Sequence, residues 1–161
     1  MTNLSELLKL HKELDAIFIA HQHALLHFDF DRALFHLQRY ENALFTHMRD
    51  EEEILLPIYV ERAAVINGGS ELIFLDEHLK MRRFVELFKE KVAELAADPH
   101  PEAGLILLLD REAFYKRLSS HHDKRESEIL YPELDRITSP DEKVELLGRV
   151  TRAFSIARMA H

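Results

Sequence analysis

His47-Met48-Arg49-Asp50-Glu51-Glu52-Glu53-Ile54-Leu55-Leu56-Pro57 returns later in the chain as His122-Asp123-Lys124-Arg125-Glu126-Ser127-Glu128-Ile129-Leu130-Tyr131-Pro132. Each copy carries a His and a Glu one helical turn apart, then Ile-Leu, then Pro, in one frame. Residues four apart share a helix face, so each copy presents an imidazole and a carboxylate to the same side. The chain holds 11 histidines and many acidic residues, so one His-x-x-x-Glu pair is expected by composition alone. The shared frame through Ile-Leu-x-Pro carries the weight. It points to an internal repeat that builds a two-metal site between helices.

The rest of the composition narrows the field. A chain of 161 residues is long enough for one domain with a real core. It has no cysteine, which excludes disulfides, thiolate metal ligation and thiol catalysis. A net charge of −8 argues against nucleic acid as a partner. No apolar run approaches the roughly 20 residues of a membrane span. The start, Met1-Thr2-Asn3-Leu4-Ser5-Glu6, lacks the basic and apolar regions of a signal peptide. The expected location is therefore cytoplasmic.

Apolar periodicity predicts an all-α chain. The first helix spans about 3–27, with an inward stripe of Leu4, Leu7, His11, Leu14, Phe18, His21 and Leu25. A turn at Phe28-Asp29-Phe30-Asp31 carries N-cap candidates. The second helix spans about 32–64, with Leu37, Tyr40, Leu44, His47, Glu51, Ile54 and Ile58 inward and a kink or break expected at Pro57. Asn67-Gly68-Gly69-Ser70 breaks the chain. The third helix spans about 71–97, with Phe74, His78, Met81, Val85, Phe88 and Val92 inward. After the turn Asp98-Pro99-His100-Pro101 the fourth spans about 102–137, with Leu108, Tyr115, Leu118, His122, Glu126 and Ile129 inward. Ser139-Pro140-Asp141-Glu142 opens a last helix over about 140–159. Four long helices with short connections imply an antiparallel up-down-up-down four-helix bundle, with the additional C-terminal helix packed outside it.

Spacing predicts which histidines meet. Two residues of an antiparallel hairpin lie at one height when their midpoint falls in the turn. The midpoint of His11 and His47 is Asp29, and that of His78 and His122 is His100. One hairpin thus gathers His11, His47 and Glu51, and the other gathers His78, His122 and Glu126. Four histidines and two carboxylates in one layer make a poor core without a cation. With metal they form a shell of two His per ion and two bridging Glu, with room for a bridging oxide and an open position. Ligand type alone leaves Fe, Zn, Mn and Cu open.

These residues resemble the hemerythrin-like, or HHE cation-binding, family. Its pattern is a His on helix one, His-x-x-x-Glu on helix two, a His on helix three and His-x-x-x-Glu on helix four. The chain matches it at His11, His47, Glu51, His78, His122 and Glu126 over about 1–137. The resemblance implies a non-haem di-iron centre with two bridging carboxylates and an oxo or hydroxo bridge. It implies a small partner, O2, NO or peroxide, in sensing, stress defence or repair of iron centres. Oxygen carriers of that family use a second His one turn from the first on helix three, where this chain has Phe74 and Arg82. Carriers also place the helix-four carboxylate five residues after its His, which makes His121 a rival to His122. The repeat frame and the inward stripe favour His122. The related iron-centre repair proteins usually add a cysteine-containing N-terminal domain that this chain lacks. A ferritin-like site needs Glu-x-x-His twice, and the chain has none. Iron supply or storage, and a metal-free interaction module whose histidines answer to pH, are the competing readings. A homodimer stays open.

Other polar residues have blander readings. Tyr40 and Tyr115 precede the two histidines by seven residues each and are expected to be core tyrosines with bonded hydroxyls, two turns from the metal layer. His21 and His36 are expected on inward faces near the Phe28 end, hydrogen-bonded. His23, His27, His100 and His161 are expected to be exposed. Within Asp50-Glu51-Glu52-Glu53 only Glu51 is expected to leave the solvated face. Arg82 is expected to pair with a Glu, and Arg149, Arg152 and Arg158 to lie on a solvated face.

Overall fold

The structure is a computed structural model that describes residues 2–64 and 68–159. Asn67 of the expected breaker, and His161, lie outside the described residues. Those residues are almost all helical and contain no strand. A 3₁₀ turn, Leu4–Leu7, leads into α1 (Leu8–Leu26). Then come α2 (Phe30–Asp50), a π turn (Glu51–Leu55) and α3 (Leu56–Arg62). α4 is Glu71–Ala97 and α5 is Glu102–Arg125. A second π turn (Glu126–Leu130), α6 (Tyr131–Ile137) and α7 (Pro140–Met159) complete the chain.

The ends follow from local chemistry. Asp29 caps α2 by accepting from the Arg32 N–H, and Ser70 caps α4 by accepting from Leu72. α1 closes with the Asp29 N–H on the Ala24 carbonyl and the Phe28 N–H on Leu25. That is the paired closure usually built around glycine. Here Phe28 takes the left-handed conformation instead, at φ 55°.

Helix continues through both in-helix prolines without a break. A proline lacks the N–H owed to the carbonyl four residues back, and its ring collides with that carbonyl. The turn before each proline widens instead. The Leu56 N–H donates to the Glu51 carbonyl, and the Tyr131 N–H donates to the Glu126 carbonyl, each five residues back. Each π turn admits one extra residue and shifts the stripe behind it. Ile54, Ile58 and Ile129, expected inward, are only half-buried, and the fully covered positions are Leu55, Leu56, Tyr59, Leu130, Tyr131 and Leu134.

Ahead of the π turns all seven stripe residues of the first helix are buried, while on the fourth helix Leu118, expected inward, is half-buried and Glu112 is buried beside Leu108 and Tyr115. Cross-helix pairs give the directions. His11 meets His47 while His21 meets Ala33, so α1 and α2 run antiparallel. Lys89 bonds Glu41 and Arg82 bonds Glu52, so α2 and α4 are antiparallel. His21 meets Glu112 while His11 meets Asp123, so α1 and α5 are antiparallel as well. α7 packs along α2 and the N-terminal turn, burying Leu146, Val150 and Phe154. Gly104 lies against Leu95, where an added Cβ would come within 2.8 Å of Cδ2, so α4 and α5 approach closely at their turn.

Between the two ends runs an aromatic middle. Phe18 stacks at tilted angles on Tyr40, Phe88 and Tyr115. At its centre the Tyr40 and Tyr115 hydroxyls bond each other at 2.6 Å. Beyond it His21, fully buried, donates from Nδ1 to the Ala33 carbonyl at 2.8 Å. Its Nε2 lies 2.8 Å from the equally buried Glu112. His36 does not share that interior. It is half-buried on α2 beside Arg39, and burial together with the nearby arginine charges lowers its pKa.

Candidate metal centre

On the other side of the aromatic middle the six expected residues come together. His11, His47, Glu51 and Glu126 place donor atoms within 4.8 Å of one another, and so do Glu51, His78, His122 and Glu126. Both glutamates belong to both groups. All six side chains are buried. His121 is exposed, so the inward partner of Glu126 is His122.

The imidazoles oppose each other in pairs. Nε2 of His11 lies 3.1 Å from Nε2 of His47, and Nε2 of His78 lies 3.2 Å from Nε2 of His122. Carboxylates lie behind three of the rings, and the one behind His122 is hydrogen-bonded to it. Asp123 lies 3.2 Å from Nδ1 of His11, Glu52 lies 3.5 Å from Nδ1 of His78, and Glu77 lies 3.2 Å from Nδ1 of His122. An ionised carboxylate only accepts, so when these rings are neutral, as metal ligation requires, the hydrogen belongs on Nδ1 and Nε2 presents a lone pair. Lone pairs facing each other at hydrogen-bond distance repel unless something positive lies between them. Two nitrogens held about 2.1 Å from one ion at a right angle sit roughly 3.0 Å apart. The observed separations suit donors to a common cation.

The carboxylates make the same point. None of the four oxygens of Glu51 and Glu126 has a well-directed hydrogen bond, although all are buried. His47 Nε2 comes within 2.7 Å of Glu51, and the Nε2 atoms of His11 and His122 both come within 3.2 Å of Glu126. Those same nitrogens already face one another, and one N–H cannot serve both directions. Burial pushes the Glu51 carboxyl up. In the metal-free protein the close contact and charge of a protonated His47, with those of protonated His78 and His122, outweigh it and hold the group at about 2. Glu51 therefore stays ionised only with positive charge beside it. Leaving such a group unpaired costs several kcal/mol, which metal ions would offset.

An outer shell supports the layer. Burial raises the Glu52 carboxyl, but hydrogen bonds from His78 and Arg82 hold it at about 2. Arg82 grips it through both terminal nitrogens, at 3.1 and 2.5 Å. Glu77 is braced by Arg125, whose Nε donates at 3.1 Å and whose Nη1 donates to the Gly68 carbonyl at 2.9 Å. The acidic run is thus less solvated than expected, because Asp50 is buried and Glu52 is half-buried against α4. Phe154 of α7 sets its ring edge-on to His47, 6.2 Å between centroids. His23, His27 and His100 are exposed, and Arg158 bonds Glu13. Tyr131 was not anticipated at the site. Its hydroxyl lies 3.3 Å from Nε2 of His11 and 3.5 Å from Nε2 of His47. Burial raises its pKa well above the ordinary value, so without a cation the phenol is neutral.

No known family model matches the chain, and no curated protein or solved structure matches it either. The geometry therefore has to speak for itself. Asp15, Tyr40, Ser119 and Asp123 line both the small void beside the His/Glu layer and a neighbouring cavity of about 280 Å³. Of its lining, Asp15, Ile19, Lys116 and Ser120 are exposed. Among the described residues, no helix is long and apolar enough to cross a membrane.

Proposed function

We propose that this chain is a hemerythrin-like four-helix bundle that binds two iron ions and uses them on a small molecule, O2, NO or peroxide, in sensing, stress defence or iron-centre repair. The observation that carries the reading is the pair of buried donor groups sharing both glutamates. Two separate sites would not share ligands; a binuclear one does.

In this reading His11 and His47 hold one ion, His78 and His122 hold the other, and Glu51 and Glu126 span both. When bound, iron supplies a redox-active Lewis acid with a position for the small molecule. The chain supplies the rest. Asp123, Glu52 and Glu77 hold their imidazoles with Nε2 inward. Leu14, Leu44, Met48 and Met81 wall the void with apolar surface, which limits water beside the site. Asp15, Ser119 and Asp123 are the polar groups between that void and the outer cavity. They are placed to meet an entering molecule and to hold a proton at a carboxylate or hydroxyl oxygen.

The test is elemental analysis of untagged protein purified without added metal. The expected result is two irons per chain, with His47→Ala and His122→Ala each losing metal. Optical titration with O2 and NO then identifies the small molecule. Full iron content in both variants would sink the proposal. Bound zinc or manganese in place of iron would keep the site and remove its redox role.

A further inference from the structure

Tyr131 stands where a ligand would stand. Its hydroxyl and the Nε2 atoms of His11 and His47 form a triangle with sides of 3.1, 3.3 and 3.5 Å. A triangular face of donors about 2.1 Å from one octahedral ion has edges of roughly 3.0 Å. The residue is fully buried, and those two nitrogens are the hydrogen-bond partners of its hydroxyl. Both nitrogens also belong to one group of atoms that could hold a metal ion.

The backbone explains how Tyr131 arrives there. In an α-helix, residues five apart lie about 140° apart around the axis, which would turn Tyr131 away from the layer that Glu126 faces. The π turn from Glu126 brings the fifth residue back above the first through its five-residue hydrogen bond. Pro132 enforces that turn. In the first copy the same device delivers Leu56, which has no donor atom.

We infer that the Tyr131 oxygen is an additional ligand of the ion held by His11 and His47, and that the two metal positions are therefore chemically unequal. The inference rests on the binuclear reading above. On coordination the phenol O–H bond breaks, the oxygen bonds the cation through its lone pair, and the proton leaves to water. No electrons change hands. The position held by His78 and His122 is left one protein donor shorter, so an outside molecule finds less competition there.

The experiment loads the full chain with iron, oxidises it to the ferric state and records visible absorption and resonance Raman spectra, with metal content measured on the same samples. A ferric phenolate has a visible charge-transfer band whose excitation enhances tyrosinate ring modes. The wild-type chain and Tyr115→Phe, which loses a buried phenol bonded to Tyr40, are expected to show both signals. Tyr131→Phe is expected to lose them while keeping its iron, since it retains the ring and all six His and Glu donors. Iron bound without tyrosinate modes in the wild type, or modes that survive in Tyr131→Phe, would overturn the ligand assignment and leave the di-iron reading standing. A folded chain that takes up no iron would overturn both.

Discussion

The two copies of the repeat share a backbone and differ in what they hang on it. Both place a His and a Glu in the metal layer, and both widen into a π turn ahead of a proline. They part at the next positions. Glu52 follows Glu51 and clamps His78 together with Arg82, whereas Ser127 follows Glu126 and bonds back to the Lys124 carbonyl of its own helix. His11, which Ser127 leaves without support, is backed by Asp123 instead, and His122 is backed by Glu77 of α4, held by Arg125. Leu56 and Tyr131 occupy matching places, one inert and one carrying an oxygen. A duplicated frame thus fixes the layer, and the substitutions behind it make the two halves distinct.

The strongest way to break this comparison is at the shared residues. Glu51→Ala and Glu126→Ala are each expected to lose both ions, because each carboxylate serves both groups, whereas His47→Ala and His122→Ala should weaken one ion first. Metal analysis and isothermal titration distinguish the patterns. Next in size are the matched apolar positions. Leu56→Ala should cost about 2–5 kcal/mol in metal-free protein through the cavity it opens, while Tyr131→Phe should cost about 1 kcal/mol or less. Denaturant midpoints give both values.

Glu52 sharpens the contrast through pH. Its folded pKa of about 2 lies below the ordinary 4.5. A depressed carboxyl stabilises the fold above its unfolded pKa, and the contribution disappears as pH falls from about 4.5 toward 2. Metal-free Glu52→Gln should therefore show a flatter loss of stability across that window. The difference is on the order of 1 kcal/mol after solvent screening, and Ser127→Ala should show none. The smallest effect is at the prolines. Placing proline inside a regular α-helix costs about 3 kcal/mol. Here the π turns have absorbed the conflict, so Pro57→Ala and Pro132→Ala should each change stability by less than about 1 kcal/mol. A gain near 3 kcal/mol in either would show that its turn is still strained.

The first halves of the long helices were open to reading from sequence because local periodicity decides them. The stripe from Leu4 to Leu25, the hairpin midpoints and the pairing of His11 with His47 and of His78 with His122 all needed only helical spacing. Ile54, Ile58 and Ile129 follow from extending that spacing through the turns around Pro57 and Pro132, and one extra residue per π turn moves the buried face to Leu55, Tyr59 and Leu130. The prolines were the visible signal, since a helix that continues through one must change its hydrogen bonds. Asp123, Glu52 and Glu77 behind the imidazoles had no comparable signal. Each reaches a histidine on another helix, so only tertiary packing selects it from the other acidic residues.

The buried pair of His21 and Glu112, with Ala33 behind it, has a consequence for register. A helix lined with apolar residues at three- and four-residue steps can slide by one turn, about 5.4 Å, and still meet its neighbours with apolar surface. Greasy stripes alone leave such slipped packings close in energy. Sliding α1 by one turn would pull His21 from both the Ala33 carbonyl and Glu112. It would leave fully enclosed polar groups without partners, at several kcal/mol. This pair therefore works as an index mark. It selects one alignment of α1 with α2 and α5, and so sets the height at which His11 arrives.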